Sequence, residues 1–356
     1  MMQQFPKTAV VILNWNGKKF LERFFPLVVE HTCKPGIDVV VADNASTDAS
    51  LAYLHQNFPQ IKTVSNARNE GFALGYNLAL QKIQQEAEAQ GEPYRYFVLL
   101  NSDIEVTPDW VEPVIAVMEA DPSIAAAQPK LLAFHDKKSF EYAGAAGGFI
   151  DALGYPFCRG RLFDTVETDT GQYDTPCQLL WATGAALFVR ADLYLQYGGL
   201  DADFFAHMEE IDFCWRMRNL GYKIMYEPAS VLYHVGGGTL PKSSPHKTYL
   251  NFRNNLSLLY KNLPQKRLGK VLCVRFFLDT LAAFIFLLKG EKENFKAVFR
   301  ARKDFRRMKE ANRAKRKALP QRENLTGIYS GSILWQYHVK GRKKFSDLNA
   351  KAFQQG

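Results

Sequence analysis

Short apolar runs alternate with amphipathic stretches through the first third of the chain. TAVVILN reads as a buried strand, Lys18 to Glu30 as a helix and IDVVVAD as a second strand. After the NASTD turn, Ala49 to Phe58 has helical periodicity, IKTVSN is a short strand and Phe72 to Ala89 a long helix. YRYFVLLNSD then packs strongly β-forming residues against a polar triplet, and Asp109 to Ala120 gives a further helix. Short apolar strands alternating with amphipathic helices predict βαβ units around a parallel sheet.

The pattern then loosens. Residues Phe134 to Pro176 are rich in Gly, Pro, Asp and Thr and lack periodicity, which predicts a long, partly irregular insertion. QLLWATGAALFVR returns to strand character, Ala191 to Tyr197 and Ile211 to Leu220 read as helices, and YKIMYE as a strand. Beyond about Gly238 the chain turns helical, with Tyr249 to Leu263 followed by the apolar stretch Leu268 to Leu288. Arg275 and Asp279 lie inside that stretch at i,i+4 spacing, and its uncharged part, Thr280 to Leu288, falls short of the ~20 residues that span a bilayer. GIYSGSILWQYHVKG reads as an ordered terminal element. The division expected is a catalytic domain over residues 1–245 and a helical, basic extension over 246–356.

Charge sharpens that division. Lys289 to Lys317 holds thirteen Lys and Arg against four Asp and Glu, while the whole 356-residue chain carries +9, so the remainder is near neutral. A basic run beside an apolar helix suits an interfacial helix on anionic lipid, or a packed helix followed by a solvated one. No aromatic-interleaved basic patch or nucleic-acid module is visible, so nucleic acid is not an expected partner. The five cysteines are scattered and never in CxxC spacing, which argues for a reducing compartment. The first residues carry no signal-peptide pattern, and a cytoplasmic site is expected.

Five segments carry chemistry. Asp43 closes a strand in ADNASTD, where a carboxylate can receive a nucleobase or ribose, or can cap the next helix. NEGFALGYN places Gly71 and Gly75 at a helix start, suited to a phosphate or to close helix–sheet packing. NSD ends on Asp103, a candidate ligand for a divalent ion or a turn residue. In AHMEEIDFCWR the acids Glu209, Glu210 and Asp212 crowd together beside Phe204, Phe205 and Trp215. Such crowding raises a carboxyl pKa towards general-base use, although acids also complement a helix N-terminus. YHVGGG sets His234 at a strand end before three glycines, as a metal ligand or a hydrogen-bonded core histidine.

In order, VILNWNG, ADNASTD, NEGFALGYN, LLNSD, TGAALFVR, GGLDADFF, EEIDFCWR and HVGGG closely resemble the family 2 glycosyltransferases of GT-A fold. The likeness is greatest to the rhamnosyltransferase-like branch of bacterial surface polysaccharide synthesis, and it covers roughly residues 8 to 240. It implies an α/β fold with a Rossmann-like mixed sheet, and a nucleoside diphosphate sugar as donor. Asp43 would bind the base, with Leu13, Asn14, Asn16 and Asn44 beside it, and Arg68, Asn69 and Gly71 would line the donor pocket. Asp103 matches the second aspartate of the family's DxD motif, with Asn101 at the first position and Ser102 between. His234 resembles the histidine that completes the Mg²⁺ or Mn²⁺ site in some members. Glu210 matches the base position, with Glu209 and Asp212 as neighbouring acids, and Trp181 and Gly184 would meet the acceptor.

The resemblance further implies an inverting, metal-dependent transfer to a glycan or lipid-linked hydroxyl. The expected setting is the inner face of the cell membrane, reached through residues 268–317. Asn101 removes one charge from the metal site, and Glu210 is a methylene longer than the usual Asp. Two other readings share some of these residues: a sugar nucleotidyltransferase, which leaves EEIDFCWR and HVGGG unexplained, and an inactive sugar-nucleotide-binding scaffold.

Overall fold

The computed structural model describes residues 5–236 and 244–355. The first two βα units supply β1 (Thr8–Asn14), α1 (Lys18–Thr32), β2 (Ile37–Asp43), α2 (Ser50–Asn57) and β3 (Lys62–Ser65). Then come α3 (Gly71–Ala89), β4 (Tyr96–Leu100), β5 (Ile104–Val106), α4 (Glu112–Ala120) and β6 (Ile124–Ala133). Four short strands follow: β7 (Gly148–Asp151), β8 (Pro156–Cys158), β9 (Arg161–Leu162) and β10 (Thr165–Val166). The main-sheet part of the chain closes with β11 (Cys177–Leu179), β12 (Ala186–Arg190), α5 (Ala191–Gln196), α6 (Glu209–Leu220) and β13 (Lys223–His234). Beyond it run α7 (Pro245–Asn262), α8 (Gln265–Leu288), α9 (Lys292–Arg307), α10 (Lys309–Lys317) and β14 (Ile328–Tyr329).

The main sheet has the order β11-β13-β6-β12-β4-β1-β2-β3, with β5 on β13. β4, β1, β2 and β3 are mutually parallel, and β12 runs antiparallel between β4 and β6. Helices cover both faces, so the central strands are apolar at nearly every position instead of alternating. α1 buries Leu21, Phe24, Phe25, Val28 and Thr32, one face at helical spacing. From α3, Tyr76 reaches through the layer so that its hydroxyl donates to Leu100 O at 3.0 Å and accepts from Leu13 N at 3.3 Å. It ties together the C-terminal ends of β1 and β4, the edge where open α/β sheets hold ligands.

Three expectations need correcting. The insertion at Phe134 to Pro176 is a small second sheet, β10-β9-β8-β7-β14, completed by a parallel strand from near the chain's end. Its strands are two to four residues long, too short for a period to show. QLLWATGAALFVR is two strands, because β11 pairs with β13 while β12 pairs with β4 and β6. The turn between them is pinned where Thr183 N donates to Gln128 Oε1 at 2.9 Å. The helix expected from Asp109 starts at Glu112, Asp109 itself having φ 55°.

The C-terminal part is mainly helical and knitted to the rest. Phe345 and Phe353 pack with Phe149 and Phe157 of the second sheet. One face of α8, through Leu268, Val271, Arg275, Asp279 and Ala283, is buried. Arg275 Nε donates to Asp279 Oδ1 at 3.1 Å, and its NH1 reaches Leu153 O at 3.2 Å as well as Asn255 Oδ1.

Candidate active site

Residues at the ends of β1 and β2 form a rigid polar floor. Asp43, 1% exposed, accepts from Asn14 Nδ2 at 3.0 Å and from Ser46 N at 2.9 Å, so it closes the turn after β2 and does not cap α2, whose N-cap is Ala49. Asn16, at φ 50°, accepts from Thr47 N and Asp48 N and fixes the same turn. Asn14 Oδ1 is buried without a partner, lying against Gly17. Leu13 is half-buried beside them, in contact range of Gly75.

The NEGFALGYN segment is held by Asn44. Its Nδ2 donates to Asn69 Oδ1 and Gly71 O, and its Oδ1 accepts from Asn66 Nδ2 and Glu70 N. Asn69 Oδ1 also accepts from Gly71 N, so both Asn44 and Asn69 are engaged in shaping the loop. The phosphate reading of the glycines needs correcting. Phe205 O occupies the N-terminus of α3, accepting from Phe72 N at 2.8 Å and Ala73 N at 3.3 Å. Gly71 has φ +74°, and a Cβ there would lie 2.5 Å from the Phe205 ring, so its role is close packing. Gly75 packs equally tightly on Leu13 and Asn44. Arg68 is on the rim, paired with Glu70 at 2.7 Å.

β4 ends at Leu100, three residues before Asp103. Asn101 N donates to Ala185 O at 2.9 Å, Asn101 and Ser102 are half-buried, and Asp103 turns inward. The antiparallel β5–β13 register sets His234 opposite Ile104, which brings Asp103 Oδ1 within 3.1 Å of His234 Nε2. A residue outside the sequence expectation joins them: Glu141 Oε1 lies 3.2 Å from His234 Nδ1. Its segment has no periodicity to flag it, and only the folding of the insertion onto β13 reveals the contact. Burial pushes the His234 pKa down, but the Glu141 and Asp103 carboxylates outweigh it and raise the ring to about 10. Burial pushes Asp103 up, yet its bond and charge contact with His234 hold it below the usual value. Gly237 and Gly238 of the HVGGG segment lie outside the described residues.

The acidic cluster opens α6. Glu210 is half-buried, and a Cβ on Gly184 would sit 3.6 Å from Glu210 Cβ and 3.5 Å from Phe72. Gly184 is buried and packs directly beside Glu210 and Phe72, and Ala185 next to it bonds Asn101. This short path joins the acidic helix to the NSD turn. Burial raises the Glu210 carboxyl to about 7. Burial, then the charge of Glu210, takes the fully enclosed Glu209 well above the carboxylate range. Asp212 has another role than the one expected: it is 0% exposed and paired with Arg216 and Lys261, each at 2.8 Å, and with Asn262 Nδ2 at 2.9 Å. Trp181 likewise turns inward, 3% exposed, its indole N–H donating to Phe149 O at 2.8 Å. The acceptor role that the resemblance implied for it is therefore not met, because the interior between the sheets claims the ring.

Among the described residues no group of three or more His, Cys, Asp or Glu converges to hold a metal ion. Asp103 offers one donor, and His234 a second once its ring gives up the proton that the Glu141 and Asp103 carboxylates favour. That suits Mg²⁺ or Mn²⁺ bound largely through diphosphate oxygens and water, not a cage built wholly of protein.

The fold is a mixed α/β architecture of GT-A type. Residues 9–167 match the model of glycosyl transferase family 2. A curated relative, N-acetylglucosaminyl-diphospho-decaprenol L-rhamnosyltransferase of Mycobacterium tuberculosis, is 26% identical over 240 residues, covering 65% of this chain and 76% of that protein. Among solved structures, GalNAc-T7 with UDP, GalNAc and Mn²⁺ superposes with a TM-score of 0.57 at 16% identity, over 83% of this chain and 55% of that longer one. S. aureus TarS 1–349 with UDP-GlcNAc gives 0.54 at 16% identity, over 87% and 83%. The mannosyltransferase PcManGT from Pyrobaculum calidifontis, with GDP-Man and Mn²⁺, gives 0.50 at 14%, over 88% and 85%. At these identities the structures establish the fold.

Proposed function

We propose that this chain moves a sugar from a nucleoside diphosphate sugar to a hydroxyl of a lipid-linked glycan, inverting the anomeric centre, with Glu210 as general base. The observation that carries the reading is Glu210 itself. It is a half-buried residue at a helix start, its carboxyl raised to about 7 and its Oε2 buried without a partner, packed beside Gly184 and one bonded turn away from Asn101. Glu210 removes the acceptor proton as the acceptor oxygen forms its bond to the anomeric carbon. The bond from that carbon to the diphosphate breaks, and the nucleoside diphosphate leaves with the electron pair. A base tuned near neutrality is half deprotonated at working pH and still basic enough to assist. Asp103 and His234 would hold the Mg²⁺ or Mn²⁺, which supplies charge neutralisation at the diphosphate. Asn14 and Asp43 would present the polar floor to the nucleoside, with Arg68 at its rim. Proton NMR of the product tests the stereochemistry. A product anomer opposite to the donor's is expected, and a retained configuration would overturn the single displacement.

The rhamnosyltransferase relative supports a polyprenyl diphosphate sugar as acceptor, and α8 supports a membrane location. Of its 24 residues, one stripe packs on the domain while the opposite face is bare, with Phe277 66%, Leu281 58% and Leu288 88% exposed. Phe276, Phe284, Ile285 and, from α9, Phe299 extend that face. Lys289, Lys292, Lys296, Arg300 and Lys303 are exposed next in sequence. By length and composition α8 is the one described helix able to cross a bilayer. Its buried Arg275–Asp279 pair, fastened to Leu153 and Asn255, instead favours a helix lying in the interface. In flotation with phosphatidylglycerol-containing vesicles the full chain should rise with the lipid. F277E/L281E should partition on the order of 10³-fold more weakly, since each side chain contributes about 2 kcal/mol. Equal flotation of both proteins would refute the interfacial face.

A further inference from the structure

The C-terminal extension also builds the catalytic loop. Between the short 3₁₀ turn Ala202–Phe204 and the start of α6, the backbone runs through three non-glycine residues of positive φ: Phe205 at 65°, His207 at 70° and Met208 at 74°. Phe205, with ψ −59°, is the centre of a γ-turn in which Ala206 N donates to Phe204 O at 2.7 Å, a strained geometry. Strained backbone persists only where its surroundings hold it, and it clusters at functional sites. Here the next residues are Glu209 and Glu210.

One side chain holds this run. Asn254, fully buried on α7, directs its Nδ2 at three backbone oxygens: Phe204 O at 3.0 Å, Ala206 O at 2.9 Å and His207 O at 2.8 Å. An amide nitrogen has two N–H bonds, so the three carbonyls share them and curl around a single atom. Its Oδ1 accepts from Arg253 Nε at 2.8 Å, which fixes which end of the amide faces the loop. Arg253 NH2 reinforces the clamp through Asp203 O at 2.9 Å and Phe204 O at 3.0 Å. On its far side the loop is held by Phe205 O at the N-terminus of α3.

A second layer comes from the same extension. Lys261 of α7 bridges Asp201 at 2.5 Å and Asp212 at 2.8 Å, and Lys315 of α10 bridges Asp201 at 2.5 Å and Asp203 at 2.6 Å. The loop is thereby bracketed by charges on the extension at both its ends.

We infer that Asn254 is a positioning residue for Glu210, holding the strained 204–208 loop so that the base faces the acceptor hydroxyl. The inference rests on Glu210 being the base. The role needs an N–H donor on the short Asn stem, which Asp at that position lacks while keeping nearly the same shape. A base displaced by an ångström loses about 10- to 100-fold in rate.

The experiment measures kcat, donor KM and thermal midpoint for wild type, Asn254→Asp, Arg253→Ala, Asn312→Ala and Glu210→Gln. Asn312, which donates to Ser257 Oγ at 3.1 Å, loosens the same helix without touching the loop. Asn254→Asp should lower kcat about 10- to 100-fold with donor KM within about threefold, Arg253→Ala should follow in the same direction by less, and Asn312→Ala should lower only the midpoint. If Asn254→Asp does not fold, Arg253→Ala decides. Wild-type kcat in both loop variants, or an equal loss in Asn312→Ala, would overturn the clamp. An active Glu210→Gln would instead overturn the base assignment and leave the loop contacts to be explained otherwise.

Discussion

Glu210→Gln is expected to cut kcat by about 10²- to 10⁴-fold, the range removed with a positioned general base, while donor KM changes little. The amide keeps the size of the side chain and its packing against Gly184 and Phe72, but it cannot take up the acceptor proton. The same assignment fixes a pH dependence. Burial raises Glu210 to about 7, and only its deprotonated form accepts a proton. Activity should therefore rise with pH through about 7 and fall roughly tenfold per unit below it. Glu209 does not compete for this role, because it is enclosed and held well above the carboxylate range by burial and by Glu210. Asp212, closed in by Arg216, Lys261 and Asn262, has no face open to an acceptor. A glutamine variant with wild-type kcat, or an acid limb unchanged by that substitution, would contradict the assignment.

Asp103→Ala is expected to lower kcat/KM by about 10²-fold or more, the scale of losing one electrostatic stabiliser of a leaving group. It should also weaken Mn²⁺ binding measured by calorimetry in the presence of the nucleoside diphosphate, a readout separate from turnover. The side chain lies 3.1 Å from His234 Nε2, and its loss leaves His234 as the single remaining donor of the pair. Unchanged Mn²⁺ affinity together with unchanged turnover would remove Asp103 from the metal site.

The elements that position this site are largely legible in the sequence, for physical reasons that differ along the chain. β1, β2 and β4 are buried on both faces, so their apolar runs stand out and their polar ends, Asn14, Asp43 and Asn101 to Asp103, are visible as breaks. Glu210 is marked by its acidic neighbours at a helix start. What the sequence hides depends on long-range pairing. Glu141 meets His234 only because the insertion folds back onto β13, and Asn254 is an unremarkable polar residue of a helix until three carbonyls surround it. Trp181 and Gly71 misled for a related reason. Large aromatics and helix-start glycines serve ligands and packing alike, and only the buried indole and the Phe205 carbonyl distinguish the two uses. The extension's aromatic residues show the same limit: Phe345 and Phe353 complete a cluster begun nearly two hundred residues earlier.

The central claim is transfer from a nucleoside diphosphate sugar with Glu210 as base. Its most direct test is the release of nucleoside diphosphate by full-length protein supplied with Mn²⁺, a panel of nucleotide sugars and a polyprenyl diphosphate sugar, beside Glu210→Gln. Acceptor-dependent release by wild type, abolished or reduced at least 10²-fold in the variant, is the predicted result. Equal release by the two proteins, or pyrophosphate released from a nucleoside triphosphate and a sugar phosphate instead, would contradict it.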